Sequence, residues 1–278
     1  MENLSEKYEK LKRFIQEKGK NGVVIALSGG VDSSTLTAIC YNILGEKAVA
    51  VTAKSSTYPP EEISEAQRVA RGIGIKHYII ETDELSNENF VRNPENRCYY
   101  CKKELVGRLQ QFARRLGFKA IFEGTNFSDL SGHRPGFKAI KEAENAFSPW
   151  AETGFTKEEI RALAKELKLP VHDKPALACL ASRIPFGERI TMERLERIGK
   201  AEQFIRRVLG VRQLRVRDHN GLARIEVGKD ERSLFFDIRV MDKIVDELKR
   251  LGFNYVTVDL EGYRTGSMMV TAESTEDK

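Results

Sequence analysis

The sequence predicts an α/β protein: a parallel sheet with helices on both faces, followed by a smaller C-terminal α+β module. Three observations lead there. Short apolar runs such as Val23-Val24-Ile25-Ala26-Leu27 alternate with amphipathic stretches, the pattern of strands buried on both faces and joined by helical crossovers. The first such strand passes through a glycine-rich turn straight into a helix. Beyond about residue 186 the order changes to helix, two short strands about a tight turn, helix and strand.

Residues 1 to about 20 form a first helix, with Tyr8, Leu11, Phe14 and Ile15 at helical spacing. After the strand at 23–27, Thr35 to Leu44 reads as a helix closing at Gly45. Ala48–Ala53 is a second strand, Ser64–Ile73 a helix and Lys76–Glu81 a third strand. Lys102–Leu116 is helical up to Gly117, Ala120–Glu123 a fourth strand, and Thr156 opens a helix to Leu167 with Glu159 completing a capping box. In the C-terminal module Met192–Leu209 is a helix, and Gln213–Arg217 and Ala223–Val227 pair about Asn220-Gly221. Phe235–Leu251 is a helix and Tyr255–Leu260 a last strand; the polar tail 272–278 is expected to fray. The domains divide into 1–186 and 187–278.

With 278 residues, 41% hydrophobic and 31% charged, the chain can build two domains with real cores. No apolar run is long enough to span a bilayer, and Met1–Lys20 lacks a signal core, so a cytoplasmic protein with no membrane partner is expected. A net charge of +5 is compatible with phosphorylated ligands or RNA and selects neither. The four cysteines do not read as a secreted disulfide set.

The turn Ser28-Gly29-Gly30-Val31-Asp32-Ser33 is a phosphate cradle by construction: glycines admit a close anion, and the following helix presents free N–H groups at its positive end. It is not the Gly-Lys-Ser/Thr loop, because no lysine follows, and it lacks the dinucleotide Gly-x-Gly-x-x-Gly spacing. Ligands of parallel sheets sit at the carboxyl ends of strands. Thr52 to Ser56 (with Ala53 and Ser55) and Gly124 to Asn126 (with Gly124 and Thr125) fall there beside the turn, so these segments are expected to converge with it on one nucleotide pocket.

Cys40 lies among Leu36, Ile39 and Ile43 and reads as a core residue. Cys98-x-x-Cys101 lies just before a helix, and Cys179 is far downstream. A lone CxxC is half a zinc site, a redox dithiol or part of an iron–sulfur site. Zinc would want a second close pair, and a redox dithiol has no use for Cys179; the plain alternative is that the three cysteines are unconnected, since spacing alone does not bring Cys179 to the CxxC. The four histidines show no metal spacing and take surface or structural roles by default. Arg215 and Arg217 alternate on a strand and so share a face, an arrangement suited to phosphate or carboxylate. Arg206 and Arg207 read as a solvated basic face.

Ser-Gly-Gly-x-Asp-Ser after a first strand resembles the PP-loop of the ATP pyrophosphatase superfamily, with its adenine nucleotide alpha hydrolase-like sheet. That resemblance implies cleavage between the α and β phosphates, with Ser28, Gly29, Gly30, Asp32 and Ser33 holding pyrophosphate and Asp32 near Mg²⁺. Asn96 to Leu105, Glu123-Gly124-Thr125-Asn126, Arg134-Pro135-Gly136, Asp173 to Ala176, Arg183 to Gly187 and Tyr263 to Ser267, with the segment around Cys179, resemble the LarE family. These are ATP-dependent sulfur transferases of nickel-pincer nucleotide biosynthesis. The resemblance implies adenylation of a carboxylate of pyridinium-3,5-biscarboxylic acid mononucleotide and replacement of oxygen by sulfur. It places the substrate phosphate on Arg215 and Arg217, helped by Arg183. Many members sacrifice the sulfur of the cysteine matching Cys179. Since this chain also has Cys98 and Cys101, the resemblance implies a [4Fe-4S] cluster on Cys98, Cys101 and Cys179, fed by sulfide or a sulfur-donor protein, and allows a homo-oligomer.

The competing reading is a PP-loop tRNA thiolase, but no appended RNA-binding module stands out and nucleic acid is not the expected partner. An amidating ligase would leave the cysteines idle. A nucleotide sensor would bind ATP without releasing pyrophosphate.

Overall fold

A computed structural model describes residues 3–131, 134–175, 178–264 and 267–268. The chain divides into two compact units: 1–84 with 96–177, and 85–95 with 178–278. The sequence reading set the division at 186/187. In the structure Asn93 holds the Ile184 and Pro185 carbonyls through its side-chain amide, at 3.2 and 2.6 Å, which ties 85–95 and the residues from 178 into the second unit.

In the first unit, α1 (Leu4–Gly19) starts from a capping box of Asn3 and Glu6. There follow β1 (Val23–Ala26), α2 (Val31–Leu44), β2 (Ala48–Lys54), α3 (Pro60–Ile73) and β3 (His77–Glu81). The short α4 (Glu88–Val91) belongs to the second unit. The first unit resumes with α5 (Arg97–Arg115), β4 (Ala120–Phe122), α6 (Pro135–Lys141), β5 (Ala146–Phe147), α7 (Pro149–Glu152) and α8 (Lys157–Glu166). Among the described residues the strands form one all-parallel sheet in the order β3-β2-β1-β4-β5. This is the expected α/β architecture.

Alternation along the strands explains why both faces are covered. Val23 and Ile25 of β1, Ala48 and Ala50 of β2, and Ala120 and Phe122 of β4 pack into a core with Leu11 and Ile15 of α1, Leu36 and Ile39 of α2, and Ile160 of α8. The intervening Val24, Val49, Val51 and Ile121 face the other way, onto Val106, Leu109 and Ala113 of α5 and Ile140 of α6. Cys40 is fully buried as expected, and burial pushes its thiol pKa up.

The second unit contains α9 (Met192–Leu209), β6 (Leu214–His219), β7 (Leu222–Val227), α10 (Ile238–Arg250) and β8 (Tyr255–Val258). β6 and β7 are antiparallel and β8 joins β7 in parallel, making a separate mixed sheet. Asn220 and Gly221 both have positive φ, +48° and +93°, which the expected two-residue hairpin turn requires.

Three helices start four or five residues earlier than expected. α2 starts at Val31 rather than Thr35, and α3 at Pro60 rather than Ser64. α5 starts at Arg97, so Cys98 and Cys101 lie on its first two turns rather than ahead of it. Polar or β-branched residues open all three helices and mask the apolar periodicity there. The two-residue β5 is too short for any periodic signal. Thr265, Gly266, Ala176, His133 and the tail 272–278 lie outside the described residues.

Candidate active site

The strand order reverses between β1 and β4: β2 and β3 lie on one side of β1, β4 and β5 on the other. A crevice opens at the carboxyl ends of the strands at such a point. The glycine turn leaves β1 there, with the ends of β2 and β4 as its immediate neighbours. The predicted convergence of the turn, of Ala53 and Ser55, and of Gly124 and Thr125 is therefore what the sheet builds.

The turn is locked from inside. Ser33 Oγ accepts from the Ser28 amide at 3.1 Å, lies 3.0 Å from Ser28 Oγ and donates to the Gly30 carbonyl at 3.2 Å. Gly29 has φ +73°, and a Cβ there would lie 3.1 Å from the Ala66 amide nitrogen, so both conformation and space call for glycine. Gly30 is the N-cap of α2 and has no side chain to satisfy the first helical amides, which leaves them for an anion.

Gly124 crosses the start of α2 at close range. A Cβ on it would lie 3.0 Å from the Ser33 nitrogen and 3.3 Å from Asp32 Cβ. Gly124→Val is expected to push back the helix start and cost about 1–3 kcal/mol, read as a lower denaturation midpoint. An unchanged midpoint would show that the helix start yields freely.

Asp32 sits on the first turn of α2. Its carboxylate pairs with the Lys157 ammonium on one oxygen and accepts from Asn126 Nδ2 at 3.4 Å on the other. Its carbonyl accepts from Trp150 Nε1 at 3.0 Å. The Lys174 ammonium donates to the Gly29 carbonyl at 3.0 Å. Lys157 escaped the sequence reading, since it is remote in sequence and carries no local motif; Lys174 stood within the stretch Asp173 to Ala176 but was given no role.

Beside this lies a second polar cluster. Buried Glu123, at the end of β4, accepts from Lys102 Nζ at 2.9 Å, from the Thr125 amide and hydroxyl at 3.1 and 2.9 Å, and from Ser148 Oγ. Burial alone would raise the Glu123 pKa, but Lys102 and these donors outweigh it and hold it below the usual carboxylate range. Burial would likewise lower Lys102, and Glu123 more than offsets it, so the ammonium is held. A carboxylate lowered in the folded chain gives stability that is complete above its unfolded pKa, about 4.3 for Glu, and is lost as pH falls through the lowered value. Glu123→Gln should therefore show a shallower loss of stability than the unaltered chain on acidification below that point. Identical acid limbs in denaturant titrations would refute this.

Ser55, after β2, donates to buried Glu84 at 2.6 Å and lies 2.8 Å from Thr57 Oγ1. The other Glu84 oxygen lies 3.9 Å from Cys101 Sγ, close enough to accept from the thiol. Cys98 is exposed and Cys101 half-buried, one helical turn apart. The start of α6 presses on this turn, for a Cβ on Gly136 would lie 3.2 Å from the Cys98 carbonyl oxygen. His77 is structural: its Nε2 lies 2.7 Å from Thr52 Oγ1, which itself donates to the Leu27 carbonyl at 2.7 Å. His172 caps its own loop at the Leu169 carbonyl.

Cys179 lies in the second unit, where it caps a short 3-10 turn, Leu180–Arg183. Arg183 is buried and holds this turn: one terminal nitrogen donates to the Ala178 and Cys179 carbonyls at 2.6 and 2.9 Å, while Nε and the other nitrogen grip Glu202 at 2.8 and 3.1 Å. Arg215 and Arg217 share a face as expected, but that face is buried. Arg217 makes a two-pronged pair with Glu226 at 3.1 and 2.7 Å, and Arg215 stacks on the Tyr263 ring at 5.2 Å. Burial, with Arg183 and Arg217 adding to it, lowers the Arg215 pKa to about 10. Glu202, lowered against the effect of burial by Arg183 and Arg215, and Glu226 were not singled out from sequence.

Cys98 and Cys101 supply two thiols of the right spacing for neighbouring corners of an iron–sulfur cluster. Cys179 is a thiol on the other unit, and among the described residues no three His, Cys, Asp or Glu side chains are gathered as a metal site. The donor chemistry of the Cys98–Cys101 pair fits thiolate ligation. No described helix is long and apolar enough to cross a membrane.

A family model described as NAD synthase matches residues 3–109, the part that holds the glycine turn and its sheet. An uncharacterized protein of Synechocystis, slr1717, is 44% identical over 95% of this chain and 97% of its own length. The pyridinium-3,5-bisthiocarboxylic acid mononucleotide synthase of Lactiplantibacillus plantarum is 36% identical over 88% of each chain. A tRNA-specific 2-thiouridylase of Persephonella marina is more distant, 27% identical over 55% of this chain and 53% of its own. Strand order, glycine turn and near full-length similarity agree, and the chain belongs to the LarE family of ATP-dependent sulfur transferases within the PP-loop ATP pyrophosphatase superfamily.

Proposed function

We propose that the protein adenylates a carboxylate of pyridinium-3,5-biscarboxylic acid mononucleotide and then replaces carboxylate oxygen by sulfur. The observation that carries this reading is the similarity over 88% of each chain to the mononucleotide synthase, in a chain whose glycine turn leaves the first α2 amides without a side-chain cap. A carboxylate oxygen is a poor leaving group, and AMP is a good one. The α2 amides, Ser28 and Ser33 bind the departing pyrophosphate, stabilising charge as it develops. Asp32 would hold Mg²⁺, which supplies further charge neutralisation when bound. Ala53, Ser55, Gly124 and Thr125 line the nucleotide side of the crevice.

The arginine group of the second unit takes the substrate phosphate. Arg215, crowded by the charges of Arg183 and Arg217, gains most from an anion, and Arg217 adds a second guanidinium beside it. Arg183 acts by holding the Cys179 turn. For sulfur, Cys98, Cys101 and Cys179 would ligate a [4Fe-4S] cluster. When bound, such a cluster supplies deprotonated sulfide at an iron with no protein ligand. This sulfide comes from free sulfide or a sulfur-donor protein. ATP supply and reduced thiols fit a cytoplasmic setting.

The test is anaerobic reconstitution with iron and sulfide, followed by ATP, Mg²⁺ and the biscarboxylate mononucleotide. A sulfur-for-oxygen mass gain on the substrate, with pyrophosphate released, is expected, over many turnovers if sulfur arrives through the three cysteines. A single turnover that converts Cys179 to dehydroalanine would replace that sulfur route with a sacrificial one. Absence of pyrophosphate would defeat the adenylation step. Steeply salt-dependent binding of tRNA would favour the thiolase reading instead.

A further inference from the structure

The glycine turn has no lysine within it, yet the fold brings two lysines to it from distant positions. Lys157 is the first residue of α8, and its ammonium meets the Asp32 carboxylate. Lys174 lies beyond the same helix, and its ammonium meets the Gly29 carbonyl at 3.0 Å. One reaches the start of α2 and the other the middle of the turn, so the two ammoniums flank the amides that face an anion.

Neither lysine is where local stability would put it. A cation at the first position of a helix opposes the positive end of the helix dipole. The rest of the first turn of α8 follows the usual rule, with Glu158, Glu159 and a Thr156 capping box. Lys157 is the exception, and its partner is the PP-loop aspartate. Lys174 is half-buried; burial lowers its pKa, partly offset by Glu65 and Glu62. Its hydrogen bond to a neutral carbonyl leaves most of its charge to act on whatever enters the turn.

Arg161 of α8 fixes the segment that carries Lys174. Its two terminal nitrogens donate to the His172 and Lys174 carbonyls at 2.5 and 2.8 Å. The helix therefore positions both cations, one on its own first turn and one through Arg161.

We propose that Lys157 and Lys174 are pyrophosphate-binding residues, together replacing the lysine that the glycine turn lacks, with Arg161 as the positioning residue for Lys174. The inference rests on the ATP-cleaving reading above. With ATP absent Lys157 is held by Asp32. With the nucleotide bound it exchanges Asp32 for a phosphate oxygen, and Asp32 keeps its other partner, Asn126. The β and γ phosphates, which leave together, are the part recognised, and the AMP portion is not.

The experiment measures binding of inorganic pyrophosphate and of AMP, each with Mg²⁺, to the full chain by calorimetric titration. Lys157→Met and Lys174→Met are each expected to weaken pyrophosphate about 10-fold or more, the worth of one charge-assisted hydrogen bond, and to leave AMP unchanged. Lys157→Arg restores most of the loss, and Arg161→Met follows Lys174→Met. If the unaltered protein binds no pyrophosphate, the ATP-cleaving reading fails and this inference fails with it. If it binds and both methionine variants bind as tightly, the inference alone is overturned. Equal loss of AMP and pyrophosphate affinity also overturns it, since these charges then serve the fold or the whole nucleotide.

Discussion

Glu226→Ala is expected to lower the stability of the second unit by about 3–5 kcal/mol, the cost of breaking a buried ion pair from one side. Glu226 is fully buried on β7. One oxygen takes both prongs of Arg217, and the other accepts from Ser267 Oγ at 2.9 Å and pairs with Arg224 at 3.1 Å. Removing the carboxylate leaves two guanidiniums facing each other across the β6–β7 register, where Arg217 opposes Arg224. Solvent cannot reach Arg217 to compensate, since it is 5% exposed. In denaturant the second unit should melt early, ahead of the first. A loss below about 1 kcal/mol, the worth of an exposed pair, would mean that water screens this site and that the arginine group is open. Arg217→Met with Glu226→Leu should recover much of the loss, because it removes both charges.

Asp32→Asn is expected to cut ATP-dependent pyrophosphate release about 100-fold or more, the scale of losing one preorganised charge-stabilising group. The substitution keeps the shape of the side chain, and the Trp150 bond to the Asp32 carbonyl does not depend on it. The fold should therefore persist, with an unchanged circular dichroism spectrum. What is lost is the carboxylate that holds Lys157 and that would hold Mg²⁺. The check is a coupled pyrophosphate assay at saturating ATP. Turnover within a few-fold of the unaltered enzyme would remove Asp32 from the chemistry and leave it as a structural partner of α8.

Much of this site was legible in the sequence because it is local. Ser28 to Ser33 form a contiguous turn whose hydrogen bonds run among its own residues, so six letters in order specify it. Thr156 and Glu159 cap α8 by the same local logic. The hairpin at Asn220-Gly221 is a backbone requirement of two residues. Lys102 and Glu123 stood inside stretches that had already been singled out, but nothing local showed that they meet. Lys157 and Glu84 gave no signal at all, and Lys174 stood in a stretch quoted for its family resemblance without a role of its own: each acts on a partner in another element, through a contact that exists only once the sheet has formed.

The sequence by itself determined the alternation of strands and helices, the phosphate turn, the separate C-terminal module and the cysteines available for sulfur chemistry. These rest on periodicity, on backbone preferences within a few residues and on residue identity. The tertiary structure decided which charges meet. Strand order put the ends of β2 and β4 beside the turn, α8 delivered lysines to it, and the β6–β7 pairing sank Arg215 and Arg217 into a buried group with Glu202 and Glu226. The reason is physical. Conformational preference is carried by neighbours along the chain, whereas burial and ion pairing depend on distance in space, which no short window of sequence contains.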